Sequence, residues 1–261
     1  SFMFAKRHFC LGLGFVMMIA LAGIGMANSS SDRVWRQIDD TELAKRPLQR
    51  QRVPLNYGTF SLDKATMDAE LRSAPEEFSS SAAPLYIELP MPDGSTAKFR
   101  VVHAMMVEQG LADKYPELAR TYRGQGVDDP TATAAIDFLP SGFHAMILSP
   151  NGTVVVDPYA EGDTSNYVSY YKRDMPRMDD WSCEVGKGFG RLVDLDKYNI
   201  PDASTNDVIT GGTLRTYRLA LAATGEYTAA VGGGTVSGAL AAQVLVMNRV
   251  NGVYERDLTL R

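Results

Sequence analysis

The sequence predicts an α+β chain: a β-rich antiparallel domain followed by a strand–helix–strand unit. Three observations carry that expectation. Between Leu85 and Lys172, short apolar runs recur at close spacing with turn residues between them, as in an antiparallel sheet. From Thr213 the rhythm changes to a strand-like run, a glycine cluster and a long helical stripe. Between these regions, residues 174–212 lose periodicity and read as a linker.

The elements follow in order. Lys6, Arg7 and His8 precede an apolar stretch from Phe9 to Ile24, and Gly25-Met26-Ala27 places small residues around a cleavage point after Ala27. Residues 1–27 therefore read as a secretory signal peptide. The apolar stretch is shorter than the roughly 20 residues a membrane span needs, which makes a retained anchor the alternative. Cys10 follows Arg7-His8-Phe9 rather than the small apolar residues of a lipid-modified cysteine. A signal implies a secreted or periplasmic protein, with membrane contact only through the signal during export. Losing Lys6 and Arg7 takes the formal charge from -5 to -7, and losing Cys10 leaves Cys183 as the one thiol of the two in the chain.

Composition narrows the function classes. Hydrophobic residues make up 45% and charged residues 22%, an ordinary globular balance. With 26 basic against 31 acidic residues and no basic stripe, phosphate-driven nucleic-acid binding is not expected. Two cysteines do not build a disulfide scaffold.

Residues 28–173 are expected to form the first domain. Residues 28–56 are polar, with Arg and Gln around Pro47 and Pro54, and read as a mobile leader. Ser61-Leu62-Asp63 opens a helix signal running to about Ser73, with Pro75 beyond it. Glu76 to Pro84 is a Ser-rich connector. Leu85–Leu89 and Ala97–Val102 are strand-like and flank the turn residues Pro92-Asp93-Gly94-Ser95. Residues 105–118 read as one or two short helices. Ala134–Leu139, Phe143–Leu148, Thr153–Asp157 and Tyr167–Lys172 are further strands, with Asn151-Gly152 as a hairpin signal.

In the second unit, residues 213–261, Leu214–Ala222 reads as a strand. Gly232-Gly233-Gly234 leads into a helix from about Thr235 to Asn251, with Val236, Leu240, Val244, Met247 and Val250 on one face. Tyr254–Leu260 reads as a second strand in which the chain stops, so the unit is expected to be cut off.

Few residues offer chemistry. None of His8, His103 and His144 stands in a zinc-binding spacing, and the last two read as sheet residues. Gly232 to Gly238 lacks the lysine of a phosphate loop, and Ser237 breaks G-x-G-x-x-G, so the glycines are expected to allow close approach to the helix. Thr235 stands where a nucleophile elbow before Ser237 requires glycine. Asp157, Glu161 and Asp163 could hold calcium but are expected to form a solvated acidic turn. Asn151-Gly152-Thr153 is a formal glycosylation sequon that the hairpin turn already explains. Cys183 is either a small buried hydrophobe or, on a linker ahead of a new domain, a zinc ligand that blocks a catalytic metal until the linker is cut.

The run Leu214-Arg215-Thr216-Tyr217-Arg218-Leu219-Ala220-Leu221-Ala222-Ala223-Thr224-Gly225-Glu226-Tyr227, with Met247-Asn248-Arg249-Val250-Asn251-Gly252-Val253-Tyr254-Glu255-Arg256-Asp257, resembles the opening of bacterial reprolysin-like (adamalysin-type) zinc metalloproteases, which are metzincins. The likeness covers residues 213–261. The signal, the helix ending at Ala74-Pro75 and the Asp157-Pro158-Tyr159 to Tyr170-Tyr171-Lys172-Arg173 segment resemble the propeptide region less specifically. The resemblance implies a β-rich prodomain followed by the truncated start of a metzincin α/β catalytic domain. It implies zinc in the full-length parent and a cysteine switch at Cys183, where Ser182-Cys183-Glu184-Val185 stands for a CGV-like context with Glu184 in place of glycine. Leu219 occupies the place of a calcium-binding glutamate in many adamalysins, so that site does not carry over. Ala27, Arg173, Arg177, Lys187 and Arg191 are the processing candidates.

The implied partners are the chain's own downstream catalytic domain, an activating protease, and a peptide or protein substrate for the parent. The family's H-E-x-x-H-x-x-G-x-x-H segment is absent from these 261 residues, so the chain alone is expected to be inactive and to bind no metal. The alternative is a non-enzymatic exported β-rich binding or inhibitory domain.

Overall fold

The computed structural model describes residues 34–50, 53–80, 83–176 and 212–261. Ala27, Arg177, Cys183, Lys187 and Arg191 lie outside the described residues.

The molecule is mixed α/β, built on one antiparallel sheet of nine strands: β1 (Trp35–Gln37), β2 (Gly58–Leu62), β3 (Leu85–Pro90), β4 (Thr96–His103), β5 (Thr121–Gly126), β6 (Thr133–Leu139), β7 (Gly142–Ser149), β8 (Gly152–Pro158) and β9 (Asn166–Tyr171). From β3 to β9 each strand pairs with the next, and β2 and then β1 add beyond β9. The sheet curls until it is nearly closed. Ser169 Oγ on β9 donates to the Pro90 carbonyl on β3 at 2.8 Å, and the Gln37 side chain of β1 lies against Gly94 in the β3–β4 turn.

Alternation places one face of every strand inside the curl. Phe60, Ile87, Phe99, Ile136, Phe143 and Val156 line that interior. The helices are α1 (Thr41–Ala44), α2 (Lys64–Arg72), α3 (Gln109–Lys114), α4 (Gly225–Val231) and α5 (Val236–Leu258). Asp63 caps α2, its carboxylate accepting from Thr66 N at 3.1 Å. Met67 and Leu71, four residues apart, turn one face of α2 into the curl. Trp35 seals the core, edge-on to Phe143 at 5.3 Å and to Tyr167 at 5.4 Å. Burying each such ring stabilises the fold by about 1.5–3 kcal/mol.

The β-meander, the α2 signal and the Pro92–Ser95 turn agree with the sequence reading. Gly152 in the Asn151-Gly152 hairpin has φ of 121°, a conformation open to glycine and strained for other residues.

Several expectations are corrected. The leader is not mobile throughout, because Val34 and Trp35 are buried and β1 pairs with β2. Strand β5 (TYRGQG) escaped notice because its two glycines break the apolar alternation. Gly124 is there for space, since a Cβ would lie 3.1 Å from Ala134 Cβ and 3.3 Å from the Phe99 ring. Leu214–Ala222 is not a strand; it makes one parallel bridge, Arg215 with Leu260. Helix α4 follows it, capped by the Thr224 side chain. The second strand expected over Tyr254–Leu260 is also absent, because α5 continues to Leu258 and stops only where Thr259 turns left-handed at φ 55°.

Close packing at the glycine cluster follows the sequence reading. A Cβ on Gly232 would sit 2.5 Å from Ala239 N.

Candidate functional site

The outer face of the sheet carries two covers. One is a strap made of residues 38–50 and 53–57, held over β8 and β9 by backbone hydrogen bonds from Leu55 N to Asp174 O and from Glu161 N to Gln49 O. The other is α5, laid across β6 and β7. Its first half packs through Ala241 and Val244 on Leu118 and Leu139. Gly252 brings the second half close to β6, since a Cβ there would be 3.0 Å from Ala135 Cβ.

That second half docks through polar groups. Asn248, fully buried, donates from Nδ2 to the Ile136 carbonyl at 3.0 Å and to Asp137 Oδ2 at 3.1 Å, while its Oδ1 accepts from Arg123. Arg123 on β5 forks onto Glu255 at 2.9 and 2.8 Å. Arg261 donates to Glu255 at 2.7 Å and forks onto Glu77 at 2.6 and 2.9 Å. This alternating chain of cations and anions is largely shielded from solvent, where charge-assisted bidentate pairs are strongest.

Beside it lies a second cluster. Arg249 reaches from α5 to Asp157 Oδ1 on β8. The same oxygen faces His144 Nδ1 at 2.8 Å, and Tyr170 donates to Oδ2 at 3.1 Å. The other His144 nitrogen, Nε2, faces Ser141 Oγ at 3.0 Å. Burial alone would raise the Asp157 pKa, but Arg249 and then His144 outweigh it and bring the group from its ordinary 3.8 to about 2. Asp137 behaves oppositely. Burial dominates and raises it, with His144, Asn248 and Arg249 only partly offsetting, and its Oδ1 has no hydrogen-bond partner among the described residues. Glu255 is lowered because Arg123 and Arg261 overcome its desolvation.

Ser141, His144, Asp157, Tyr170 and Arg249 border a cavity of about 650 Å³ between the strap, β7–β9 and α5. Tyr159, Tyr170, Met146 and Val155 give it apolar walls, and Arg50 and Lys172 add positive charge. Arg50 stacks on the Tyr159 ring at 3.9 Å.

Ser141, His144 and Asp157 stand in the order of a nucleophile, a base and its orienter. Acyl transfer also needs free donors for an oxyanion. The Phe143 N–H, close to Ser141 in sequence, already donates to Tyr167 Oη at 3.1 Å. Arg249 also pairs with the carboxylate that would support an imidazolium.

The sequence-predicted residues fall as follows. Arg173 is exposed in a 3-10 turn (Lys172–Asp174) after β9, stacked on the Tyr171 ring at 4.1 Å. His103 and His144 are sheet residues, as expected. His103 bridges Glu76 at 2.8 Å and the Ala119 carbonyl at 2.7 Å. Asp157 is not part of a solvated acidic turn but is partly buried and ion-paired, whereas Asp163 folds its own turn by accepting from Ser165 N and Asn166 N. The sequence reading missed Asp137, Asn248, Arg249 and Glu255 as a group. The available signal was Ala241, Val244, Asn248, Asn251 and Glu255 at helical spacing, a stripe that starts apolar and turns polar.

Among the described residues no group of three or more His, Cys, Asp or Glu side chains converges as a metal site. No protein-family model and no curated protein matches the chain.

Proposed function

We propose that this chain is the N-terminal part of a secreted zinc metalloendopeptidase zymogen, exported behind the signal at residues 1–27. Residues 28–173 are its propeptide, which assists folding and keeps the protease latent. Residues 213–261 open a metzincin catalytic domain, and the linker between them carries Cys183. The family resemblance of residues 213–261 gives the reaction class.

The observation that carries the reading is the surface of that last unit. Tyr217, Leu219 and Leu221 alternate along the chain and are 64%, 63% and 50% exposed. The segment that carries them is not a strand and is exposed throughout from Arg215 to Glu226, and an uncovered row of large apolar side chains of this kind marks a contact surface. Val246, Tyr254 and Leu258 are likewise exposed on α5. A further unit covering these side chains accounts for them.

Zinc held by that further unit would activate water, and this chain's contribution would be the Cys183 thiolate, occupying the open position until the linker is cut. Full-length parent carrying Cys183→Ala tests this. Premature activity is expected, whereas latency and activation timing equal to wild type would refute the switch.

A non-enzymatic binding domain is the second reading, favoured by the cavity with its aromatic walls and cationic lining. It predicts that strands and α5 melt together and that the parent lacks H-E-x-x-H-x-x-G-x-x-H.

A further inference from the structure

We infer that the polar patch on β5–β8 is a docking site for a helix of defined chemistry, one presenting Asn and Arg side by side and Glu seven residues after the Asn. It holds that helix by charge after the covalent link is broken. The proposal deepens the reading above, since it rests on residues 213–261 being a unit distinct from the sheet.

Three features support it. First, the interior of the curl is completed by α2 and Trp35, and the interior core includes no residue of α5. Removing α5 therefore opens no hole in that core. Second, the stripe that α5 turns to the sheet changes character along its length, from buried Ala241 and Val244 to buried Asn248 and Asn251 and half-buried Glu255. Polar contact area of this kind marks surfaces that separate rather than folding cores.

Third, the sheet side matches group by group. Arg123 faces the Asn248 carbonyl oxygen and the Glu255 carboxylate, Asp137 faces the Asn248 amide, and Asp157 faces Arg249. His144 and Tyr170 hold Asp157 from the strand side, so the acceptor for Arg249 is positioned before the helix arrives. Each partner presents a charge that is poorly satisfied without the other, which gives the contact specificity. Glu77, tied to Arg261, extends the same pattern across the β3 side of the patch.

The sheet thus recognises this helix through two ion pairs, Arg123 with Glu255 and Asp157 with Arg249, and a charge-assisted hydrogen bond from Asn248 to Asp137, and salt weakens the more exposed of these pairs most.

The test uses the full chain with a site-specific protease sequence inserted after Gly188. After cutting, size exclusion is run at about 50 mM and about 1 M salt, for wild type and for Arg249→Met and Asp157→Asn. Co-elution of the two pieces at low salt is expected, with weaker association at high salt. Either variant is expected to weaken association at least tenfold at low salt while the sheet piece keeps its circular dichroism.

Separation of the wild-type pieces at low salt would overturn the proposal. So would co-elution at 1 M salt that neither variant alters, which would make the contact apolar. Failure of the Cys183→Ala test would leave these outcomes unchanged, so the two readings fail separately.

Discussion

The two faces of the sheet are built by different physics. Inside the curl, aromatic and branched side chains from all nine strands and α2 close on one another. Outside, over β5–β8, the strands hold a helix with Arg123, Asp137 and an Asp157 that His144 braces. Apolar burial is non-directional and tolerant of exchange. The ionic face is directional, because each group needs one particular partner and loses more when that partner is removed than it contributed. The inner face therefore sets stability, and the outer face sets which helix sits there.

The largest effect is expected from the inner face. Phe143→Ala removes a ring that touches Trp35, Phe138 and Tyr167 and is expected to destabilise the whole sheet by about 3–5 kcal/mol. Chemical denaturation followed by tryptophan fluorescence measures it. On the outer face, Arg249→Met leaves Asp157 with His144 and Tyr170 and should weaken α5 docking by about 1–3 kcal/mol without moving the midpoint of the sheet. Limited proteolysis of α5 beside thermal unfolding separates the two effects.

Acid sharpens the contrast further. The Asp157 pKa is lowered on folding, so its contribution is present above about pH 4 and is lost as pH falls toward 2, roughly 2–3 kcal/mol in all. Glu255, also lowered, acts in the same direction. Asp137, raised by burial, acts in the opposite one and gains as pH falls. The net expectation is release of α5 between about pH 4 and 2 ahead of sheet unfolding, read as loss of helical signal with the Trp35 signal retained. Asn248→Ala leaves Asp137 and Arg123 short of a partner and should weaken docking by about 1–2 kcal/mol. Ser141→Ala is the smallest change, within about 0.5 kcal/mol, because Ser141 is exposed and Asp157 still orients His144. A fluorophosphonate probe that labels Ser141 in wild type would contradict the structural reading of that serine.

The legibility of the fold followed the same division. Alternation between Leu85 and Tyr171 exposes the meander because one face of each strand is apolar and the other is not. The short strand β1 was hidden in a polar stretch where only Val34 and Trp35 signal burial, and β5 was hidden by Gly124 and Gly126. The end of α5 was misread as a strand because Tyr254 and Leu258 suit either state. What decides it is tertiary, the clasp of Glu255 by Arg123 and Arg261. The site was the least legible part. The apolar stripe expected on α5 shares only Val244 with the buried one, and a pattern search for apolar faces passes over a face made of Asn and Arg. Asp157 stood out as an acid in a turn, but its partner lies 92 residues further along the chain.

The central claim is that the sheet and α5 are separable units whose pairing is specified by charge. Native-state hydrogen exchange of the full chain, followed with increasing denaturant at low and high salt, tests it most directly. The account predicts that α5 amides exchange through an opening of lower free energy and smaller denaturant dependence than those of β6–β8, with the gap widening as salt rises. Amides of α5 and of the sheet converging on one global opening at every salt concentration would contradict it.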